Sequence, residues 1–490
     1  MLKNVDIKNL FGEKNVHLQM DKNILIITGD NGNGKTTILN ILYSILVGDI
    51  NDLFDFDFKT VDITFKKEYE LLEKITVKCE KKAPFKSLSI KYYMEDREDI
   101  LFVFSKMNSF DENQIALLRI EANQKVWDFE MEDSPLYFDT VEQLSDVVDG
   151  IGMFDIWDVL QKIKESILYF PTYRRVDIDM EAYLGYPIES ILGPHNHQNP
   201  YSIERKRPRN RRVVGISNDD IVNNLETYTQ EINEFVSENL DDLLKSFVKE
   251  VIKIIMDSDG TIELFRSAPE RGIFDMLANL NSTLELKIDE DAIHSFSVDY
   301  QEKNNEAREI MKELKEKNQT IEDVDLDDIE VKRLIFRLMD LQDTGTTYLS
   351  VLESLYQNYQ NRLTNKLKNY KYISDNISKF SNGKLSLDRH KNNEFTIRKN
   401  GNKINFGKLS TGEKQLFTFF VYCALHLPTD EPSLVIIDEP ELSLHPKWQN
   451  TLLNSLTEKS NISILTATHS PYVINKSLKS SVFKLVEEQF

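Results

Sequence analysis

The sequence predicts an α/β fold whose central sheet is assembled from the two ends of the chain, with an α-helical arm inserted between them. Three observations predict this fold. A buried strand near the amino end, Ile24 to Ile27, runs into a glycine-rich turn and then a helix. A second buried strand near the carboxyl end, Leu434 to Ile437, runs into two carboxylates. Between these ends lie long stretches with the apolar spacing of helices.

The composition excludes several classes of protein. The chain has 490 residues, with 60 Lys and Arg against 81 Asp and Glu, a net charge of −21. This balance argues against a general nucleic-acid coat, which needs a basic face. The longest apolar stretch, Leu416 to Leu425, is about half the ~20 residues that a membrane-spanning helix requires. Two cysteines, Cys79 and Cys423, cannot form a disulfide framework, and no secretory segment precedes the first strand, so we expect a cytoplasmic protein.

The pattern along the chain predicts four parts. Residues 1–177 form the amino-terminal part of a compact head, and residues 381–490 form its carboxyl-terminal part. Residues 178–220, rich in Gly, Pro, Asn and basic side chains, are predicted to be a flexible basic loop. Residues 221–380 are predicted to be a helical arm. Its two helical stretches could pair as a short coiled coil or pack as ordinary helices, and the few heptads present leave both open.

The glycine-rich turn has the pattern of a phosphate-binding loop. Residues 29–36 match GxxxxGK[ST] without a mismatch, after a buried strand and at the start of a helix. Backbone N–H groups of such a loop surround phosphate oxygens, Lys35 would neutralise the β- and γ-phosphates, and Thr36 would bind Mg²⁺. The predicted ATP-binding residues here are Gly29, Asn31, Gly32, Asn33, Gly34, Lys35, Thr36 and Thr37.

The second acidic strand supplies the other half of the predicted site. Asp438 and Glu439 follow four apolar residues, at the position where a parallel sheet presents side chains to a ligand. Asp438 would hold Mg²⁺, and Glu439 would orient and deprotonate the attacking water. Because 403 positions separate Lys35 from Asp438, the site must be assembled from both chain ends.

These motifs, together with LSTGEKQ at residues 409–415 and THSP at residues 468–471, resemble the ABC-type ATPase heads of the SMC, Rad50, RecF and OLD group. In layout the chain resembles the standalone anti-phage ATPases of the PARIS and Septu kind. The resemblance implies that LSTGEKQ is a signature segment whose Ser410, Gly412 and Glu413 bind the nucleotide of an opposing subunit. It also implies that His469 senses the γ-phosphate. We therefore expect ATP to join the chains into a homodimer or a higher even-numbered oligomer, because one chain carries one phosphate loop and one signature.

Several residues keep two interpretations. His469 could be a helix-capping or core histidine, and His445 is assigned a structural role. No glutamine after the first helix fits the family's Q-loop, so that position stays unassigned. Arg174 and Arg175 could contact phosphate or form surface ion pairs. The basic run 205–212, with six cations in eight residues, could bind a nucleic-acid backbone or an acidic partner, or it could be a solvated loop.

The resemblance implies an ATP-driven switch that controls a separate effector. The chain ends about twenty residues after His469, too soon for the nuclease domain of the OLD group, so we expect the nuclease effector to be another polypeptide. One alternative is a DNA repair or recombination ATPase like RecF or Rad50. A second is a nucleotide-dependent scaffold with negligible turnover, against which a positioned Glu439 argues.

Overall fold

A computed structural model gives the fold of most of the chain. The structure describes residues 1–67, 72–82, 85–94, 99–107, 115–122, 124–129, 154–172, 218–256, 273–283, 288–316, 330, 333–334, 337, 344–390, 393–428, 430–459 and 461–485. Within these residues the chain divides into two compact units. The head consists of Met1–Tyr228 with Asn369–Phe490, and the helical unit consists of Thr229–Lys368.

The strands of the head form three sheets within the described residues. The strands are β1 (Leu2–Leu10), β2 (Lys14–Gln19), β3 (Ile24–Thr28), β4 (Thr60–Phe65), β5 (Lys74–Lys82), β6 (Phe85–Tyr93), β7 (Ile100–Met107), β8 (Ile115–Ala122), β9 (Lys125–Asp128), β10 (Ile167–Phe170), β11 (Leu385–Arg389), β12 (Phe395–Lys399), β13 (Asn402–Lys403), β14 (Ser433–Asp438), β15 (Ile462–Ala467) and β16 (Val482–Lys484). A parallel sheet has the order β10-β14-β15-β3-β16, an antiparallel sheet has the order β2-β1-β4-β5-β6-β7-β8-β9, and β11-β12-β13 form a small third sheet.

The described α-helices lie in both units. They are α1 (Lys35–Val47), α2 (Ile50–Asp55), α3 (Phe154–Glu165), α4 (Asn218–Met256), α5 (Ile273–Thr283), α6 (Glu290–Glu316), α7 (Thr344–Lys366), α8 (Lys368–Ser381), α9 (Thr411–Leu425) and α10 (Pro446–Leu456). Each of these helices is too short or too polar to traverse a bilayer.

The parallel sheet is buried on both faces, which explains why its strands are continuous apolar runs. In β3, Leu25 and Ile27 pack against α1 and the antiparallel sheet, whereas Ile24 and Ile26 pack in a second core with α9 and the small sheet. The other parallel strands alternate in the same way, because successive side chains point to opposite faces. Both ends of the chain therefore share one sheet, as the sequence predicts.

The helical unit has a small core of its own. Helices α4, α5 and α7 contribute its buried apolar side chains, which are Leu240, Leu243, Met276, Leu280, Tyr356, Tyr359 and Leu363. The Arg362 Nη1 atom donates to Asn239 Oδ1 at 2.9 Å, which ties α7 to α4. Three helices thus share one core by ordinary helix packing, which is one of the two arrangements that the heptad pattern leaves open.

The boundary of the helical unit differs from the predicted range 221–380. Ile221 and Leu225 at the start of α4 are buried in the core of the head, as are Ile377 and Phe380 in α8. The helical unit accordingly begins at Thr229 and ends at Lys368. Apolar periodicity identifies a helix and its buried face, but it does not identify the core against which that face packs.

Both cysteines are buried as free thiols. Burial raises the pKa of Cys423 to about 12. A thiol in this state stays protonated at neutral pH and is inert as a nucleophile.

Candidate functional site

The predicted catalytic segments meet at one edge of the parallel sheet. In the strand register Asp438 pairs with Ala467, and Ala467 pairs with Ile27. Parallel strands all end at the same edge, so the turns after β14, β15 and β3 lie side by side. Residues 29–34, Glu439 and His469 belong to these three turns.

The loop between β3 and α1 has a backbone that depends on its glycines. Gly29, Gly32 and Gly34 have φ angles of 156°, 81° and 90°, which L side chains rarely adopt. A Cβ atom on Gly34 would also lie 2.5 Å from the Phe11 ring. Gly34 is the N-cap of α1, so the free N–H groups of the first helical turn face the loop. This is the backbone arrangement that binds phosphate oxygens.

Lys35 is held inside this loop. Its Nζ donates to the carbonyl oxygens of Gly29 at 3.0 Å and Asp30 at 2.9 Å, and the side chain is buried. Burial lowers the pKa of Lys35, an effect that the nearby carboxylates of Glu439 and Asp438 oppose. The ammonium group therefore lies in the electrostatic field of both carboxylates that the sequence assigns to the site.

A direct hydrogen bond joins the two ends of the chain. The Thr36 Oγ1 atom donates to Asp438 Oδ2 at 2.9 Å. Asp438 is almost fully buried, and that burial raises its pKa, while the nearby hydroxyls of Thr172 and Thr36 act in the opposite direction. The two chain ends, which the sequence predicts to form one site, are thus in contact through residues 402 positions apart.

The oxygen donors around Asp438 suit a magnesium ion. Mg²⁺ prefers oxygen ligands and binds to few protein groups, keeping several waters. Thr36 supplies a hydroxyl and Asp438 a carboxylate. The Thr172 hydroxyl is near enough to Asp438 to lower its pKa, yet its buried Oγ1 has no hydrogen bond of good geometry within the described residues. A buried polar atom without such a partner is costly unless a water or an ion satisfies it, so these residues fit Mg²⁺ with its waters.

Glu439 has a strained backbone. Its φ angle is 50°, in the left-handed region that a glutamate rarely adopts. Its N–H donates to Ala467 O at 2.9 Å, which fixes this turn to the end of β15. Burial raises the pKa of Glu439, and the charges of Asp438 and Glu441 raise it further, whereas His469 lowers it. Strain of this kind is concentrated at active sites, and a raised pKa makes the carboxylate a stronger base.

The signature segment begins helix α9 with a complete capping box. Ser410 Oγ accepts from Glu413 N–H, and Glu413 Oε2 accepts from Ser410 N–H at 2.8 Å. Glu413 also forms an ion pair with Lys399 at 2.8 Å, and hydrogen bonding lowers its pKa against the effect of burial. The Glu413 carboxylate thus has intramolecular partners, while Ser410 is exposed at the positive end of the helix.

Gly412 occupies a position where any larger residue must displace a neighbour. A Cβ atom there would lie 2.5 Å from the Ser443 carbonyl oxygen and 3.5 Å from the Trp448 ring. We expect Gly412→Ala to lower the free energy of unfolding by about 1–3 kcal/mol, because overpacking forces the backbone to shift. The measurement is urea denaturation, with Gly407→Ala as the matched control, since a Cβ on Gly407 meets only Asn405 Oδ1 at 3.4 Å. Equal unfolding midpoints for the two variants would contradict this packing argument.

His469 follows strand β15 in an exposed position. Its backbone N–H donates to Glu441 Oε1 at 2.8 Å, and its imidazole is near enough to Glu439 to lower the pKa of that carboxyl group. His445 instead caps helix α10, accepting from Lys447 N–H at 3.2 Å, which agrees with a structural role.

The structure brings together one group of predicted residues and leaves a second group apart. Lys35, Thr36, Asp438 and Glu439 form a single cluster, with His469 beside it. Within the described residues no hydrogen bond or ion pair joins Ser410, Gly412 or Glu413 to the phosphate loop. Arg174, Arg175 and the basic run 205–212 lie outside the residues that the structure describes.

Sequence reasoning missed three residues at this edge. Thr172 follows β10, the neighbour of β14, and only the strand pairing places it beside Asp438. Glu441 lies two residues after Glu439, but its contacts with the turn after β15 depend on the fold. Leu485 O lies behind the loop, where Asn33 Nδ2 donates to it at 3.5 Å and a Cβ on Gly29 would meet it at 2.6 Å.

Comparison with known proteins gives a family match. A family model described as "AAA domain, putative AbiEii toxin, Type IV TA system" matches residues 197–475, more than half of the chain. This range includes the signature segment, Asp438, Glu439 and His469, while the phosphate loop lies before it.

Two curated relatives match over shorter ranges. The "Retron Vc95 probable ATPase" of Vibrio cholerae serotype O1 biovar El Tor is 30% identical over 173 residues, which cover 32% of this chain and 33% of that protein. The "Retron Ec83 probable ATPase" of Escherichia coli is 29% identical over 106 residues, 20% of each chain. The matched part of the chain thus spans a third or less of the length of these relatives.

Solved structures of Smc head domains also match along the chain. The Pyrococcus furiosus Smc head domain with an extended coiled coil, bound to the C-terminal domain of ScpA, is 12% identical with a TM-score of 0.35, and the match covers 99% of this chain and 92% of that one. The Pyrococcus yayanosii Smc head domain with a coiled coil and joint is 13% identical with a TM-score of 0.33, and the match covers 99% and 94%.

Proposed function

Because the chain belongs to this AAA-domain family and is a P-loop ATPase by fold, we propose that it binds and hydrolyses ATP as a molecular switch that controls a separate effector protein. The observation that carries the proposal is the Thr36–Asp438 hydrogen bond, because it joins the two chain ends at a single site. The strained Glu439 beside that bond supplies a base, which a scaffold without turnover does not need.

In the proposed reaction each residue of the site has a separate role. Backbone N–H groups of residues 29–36 and the Lys35 ammonium group hold the β- and γ-phosphates. Glu439 accepts a proton from the attacking water, and its raised pKa favours that transfer. His469 contacts the γ-phosphate region from the next turn. Thr36 and Asp438 would hold Mg²⁺, which when bound neutralises charge on the phosphates.

We propose that the signature segment of one chain completes the site of a second chain. Ser410 is exposed at the N-terminus of a capped helix, which favours an anion, and its own chain offers it no bond to the phosphate loop within the described residues. ATP bound between two chains would then hold them together, and hydrolysis would separate them. This cycle would give the effector two states of the switch to distinguish.

We place the switch in anti-phage defence, with a nuclease as the effector. The motif layout resembles defence ATPases of the PARIS and Septu kind, and the two curated relatives are named as retron ATPases. The net charge of −21 favours this assignment over a repair ATPase that acts directly on DNA.

The test is to identify what the chain binds in its native host. The Glu439→Gln variant, expected to stay bound to ATP, is purified in parallel with Lys35→Ala, expected to lack ATP. A nuclease protein enriched with Glu439→Gln relative to Lys35→Ala supports the proposal. Nucleic acid recovered without any protein partner would favour the repair function instead.

A further inference from the structure

The carboxylate of Glu441 accepts three hydrogen bonds from a single short segment. Thr468 Oγ1 donates to Oε2 at 2.7 Å, while the N–H groups of His469 and Ser470 donate to Oε1 at 2.8 Å and 3.1 Å. We propose that Glu441 is a positioning residue for ATP hydrolysis, which acts by fixing His469 relative to Glu439. This inference rests on the proposed function.

A carboxylate is well suited to this task. An ionised glutamate only accepts hydrogen bonds, and its two oxygens have room for several donors. Hydrogen bonds from N–H groups to a charged oxygen are shorter and stronger than bonds between neutral groups. One side chain from the turn after β14 therefore orders the backbone on both sides of the His469 peptide.

Helix α10 braces the same segment from a second direction. Ser470 Oγ donates to Gln449 Oε1 at 2.7 Å, and Gln449 Nε2 donates to the carbonyl oxygens of Leu444 at 2.8 Å and Glu441 at 3.2 Å. Gln449 is buried, and its bond to Leu444 O is shielded from water. The turn after β15 is thereby connected to the turn after β14 and to the start of α10 as one body.

This body includes the catalytic base. Glu439 N–H donates to the carbonyl oxygen of Ala467, the residue before Thr468. The imidazole of His469 and the carboxylate of Glu441 both act electrostatically on Glu439. If the Glu441 contacts were lost, the N–H groups of His469 and Ser470 would lose their acceptor, and the His469 backbone could shift relative to Glu439. A displacement of about 1 Å in a catalytic group can cost ~100-fold in rate.

The test compares Glu441→Ala with Glu441→Gln. The glutamine keeps one oxygen for the two N–H donors, and its amide can donate to Thr468 Oγ1, so the segment should stay in place. We expect Glu441→Ala to lower kcat by about 10- to 100-fold with KM for ATP within ~2-fold, and Glu441→Gln to retain kcat within ~3-fold. Glu458→Ala is the control, because it removes an exposed carboxylate that pairs with Lys379 near the far end of α10.

A double-mutant cycle distinguishes positioning from a general structural effect. If Glu441 acts through His469, Glu441→Ala should change kcat by less than ~2-fold when His469 is already alanine. Melting temperatures of all variants are measured alongside. If Glu441→Ala does not fold, Glu441→Asp replaces it, because its shorter side chain cannot reach all three donors.

The outcomes separate the inference from the proposed function. Additive losses in the cycle, or a Glu441→Gln variant as slow as Glu441→Ala, would overturn the role of Glu441 and leave the ATPase intact. A His469→Ala variant with wild-type kcat would overturn both the role of His469 and that of Glu441. Unchanged ATP binding by Lys35→Ala would overturn the proposed function itself.

Discussion

Glu439→Gln is expected to lower the rate of ATP hydrolysis by about 10²–10⁴-fold, the usual contribution of a positioned general base. Glutamine has almost the same shape but cannot accept the proton of the attacking water. The strained φ of 50° and the Glu439 N–H bond to Ala467 O belong to the backbone, so the substitution leaves them in place. Phosphate contacts from residues 29–36 are also unaffected, and ATP affinity should change by no more than ~3-fold.

Phosphate release and equilibrium ATP binding measure the two effects separately. The control is Glu431→Gln, an exposed glutamate just before β14 and thus at the opposite edge of the sheet. The Glu431→Gln variant should hydrolyse ATP at the wild-type rate, because residue 431 lies at the far end of the strand from Glu439. Wild-type turnover by Glu439→Gln would show that another group is the base.

The same variant tests the assembly of two chains around ATP. Without hydrolysis the nucleotide stays bound, so light scattering with ATP and Mg²⁺ should give twice the mass of one chain, or a higher even multiple. Without nucleotide the mass should equal that of the variant before ATP is added. An unchanged mass in saturating ATP would contradict a shared site.

Lys35→Ala is expected to abolish detectable ATP binding. Loss of one partner of a buried charge pair costs about 2–5 kcal/mol, which corresponds to roughly 30- to 4000-fold in affinity. The structure places the Lys35 ammonium inside the loop, bonded to Gly29 O and Asp30 O and close to two carboxylates. Its removal would leave Asp438 and Glu439 to repel the incoming phosphates.

The measurement is the rise in melting temperature on adding ATP and Mg²⁺, because a ligand that binds only the folded state stabilises it. Lys22→Ala is the matched control: Lys22 precedes β3, its Nζ donates to Ser480 Oγ at 2.7 Å, and it lies at the opposite end of the strand from the loop. Wild-type protein and Lys22→Ala should show the ATP-dependent rise, and Lys35→Ala should not. A rise of equal size in Lys35→Ala would mean that ATP binds elsewhere.

The sequence predicts the centre of the site because the chemistry there constrains residue types locally. A loop that surrounds phosphate is predicted to need glycines at Gly29, Gly32 and Gly34, and all three have positive φ angles. A buried strand that ends in Asp438 and Glu439 has few other uses beside such a loop. The strand pairing of β3, β15 and β14 then follows from ordinary parallel-sheet topology.

The edges of the helical arm were less predictable. The apolar spacing of Ile221, Leu225, Ile377 and Phe380 resembles that of the helical unit, yet these residues are buried in the head. Two helices with the same periodicity can serve different cores, because periodicity records only which face is apolar.

The sequence by itself predicted that the two ends of this chain meet at one site, since a glycine-rich loop and a strand bearing adjacent carboxylates are each specified by neighbouring residues. Only the tertiary structure decided the supports of that site: Thr172 beside Asp438, Leu485 behind the loop, and Glu441 bound to residues 468–470. These contacts join residues that are distant along the chain and chemically unremarkable on their own. These contacts depend on which strands are neighbours in the parallel sheet. The order of the strands depends in turn on burial of the sheet on both of its faces.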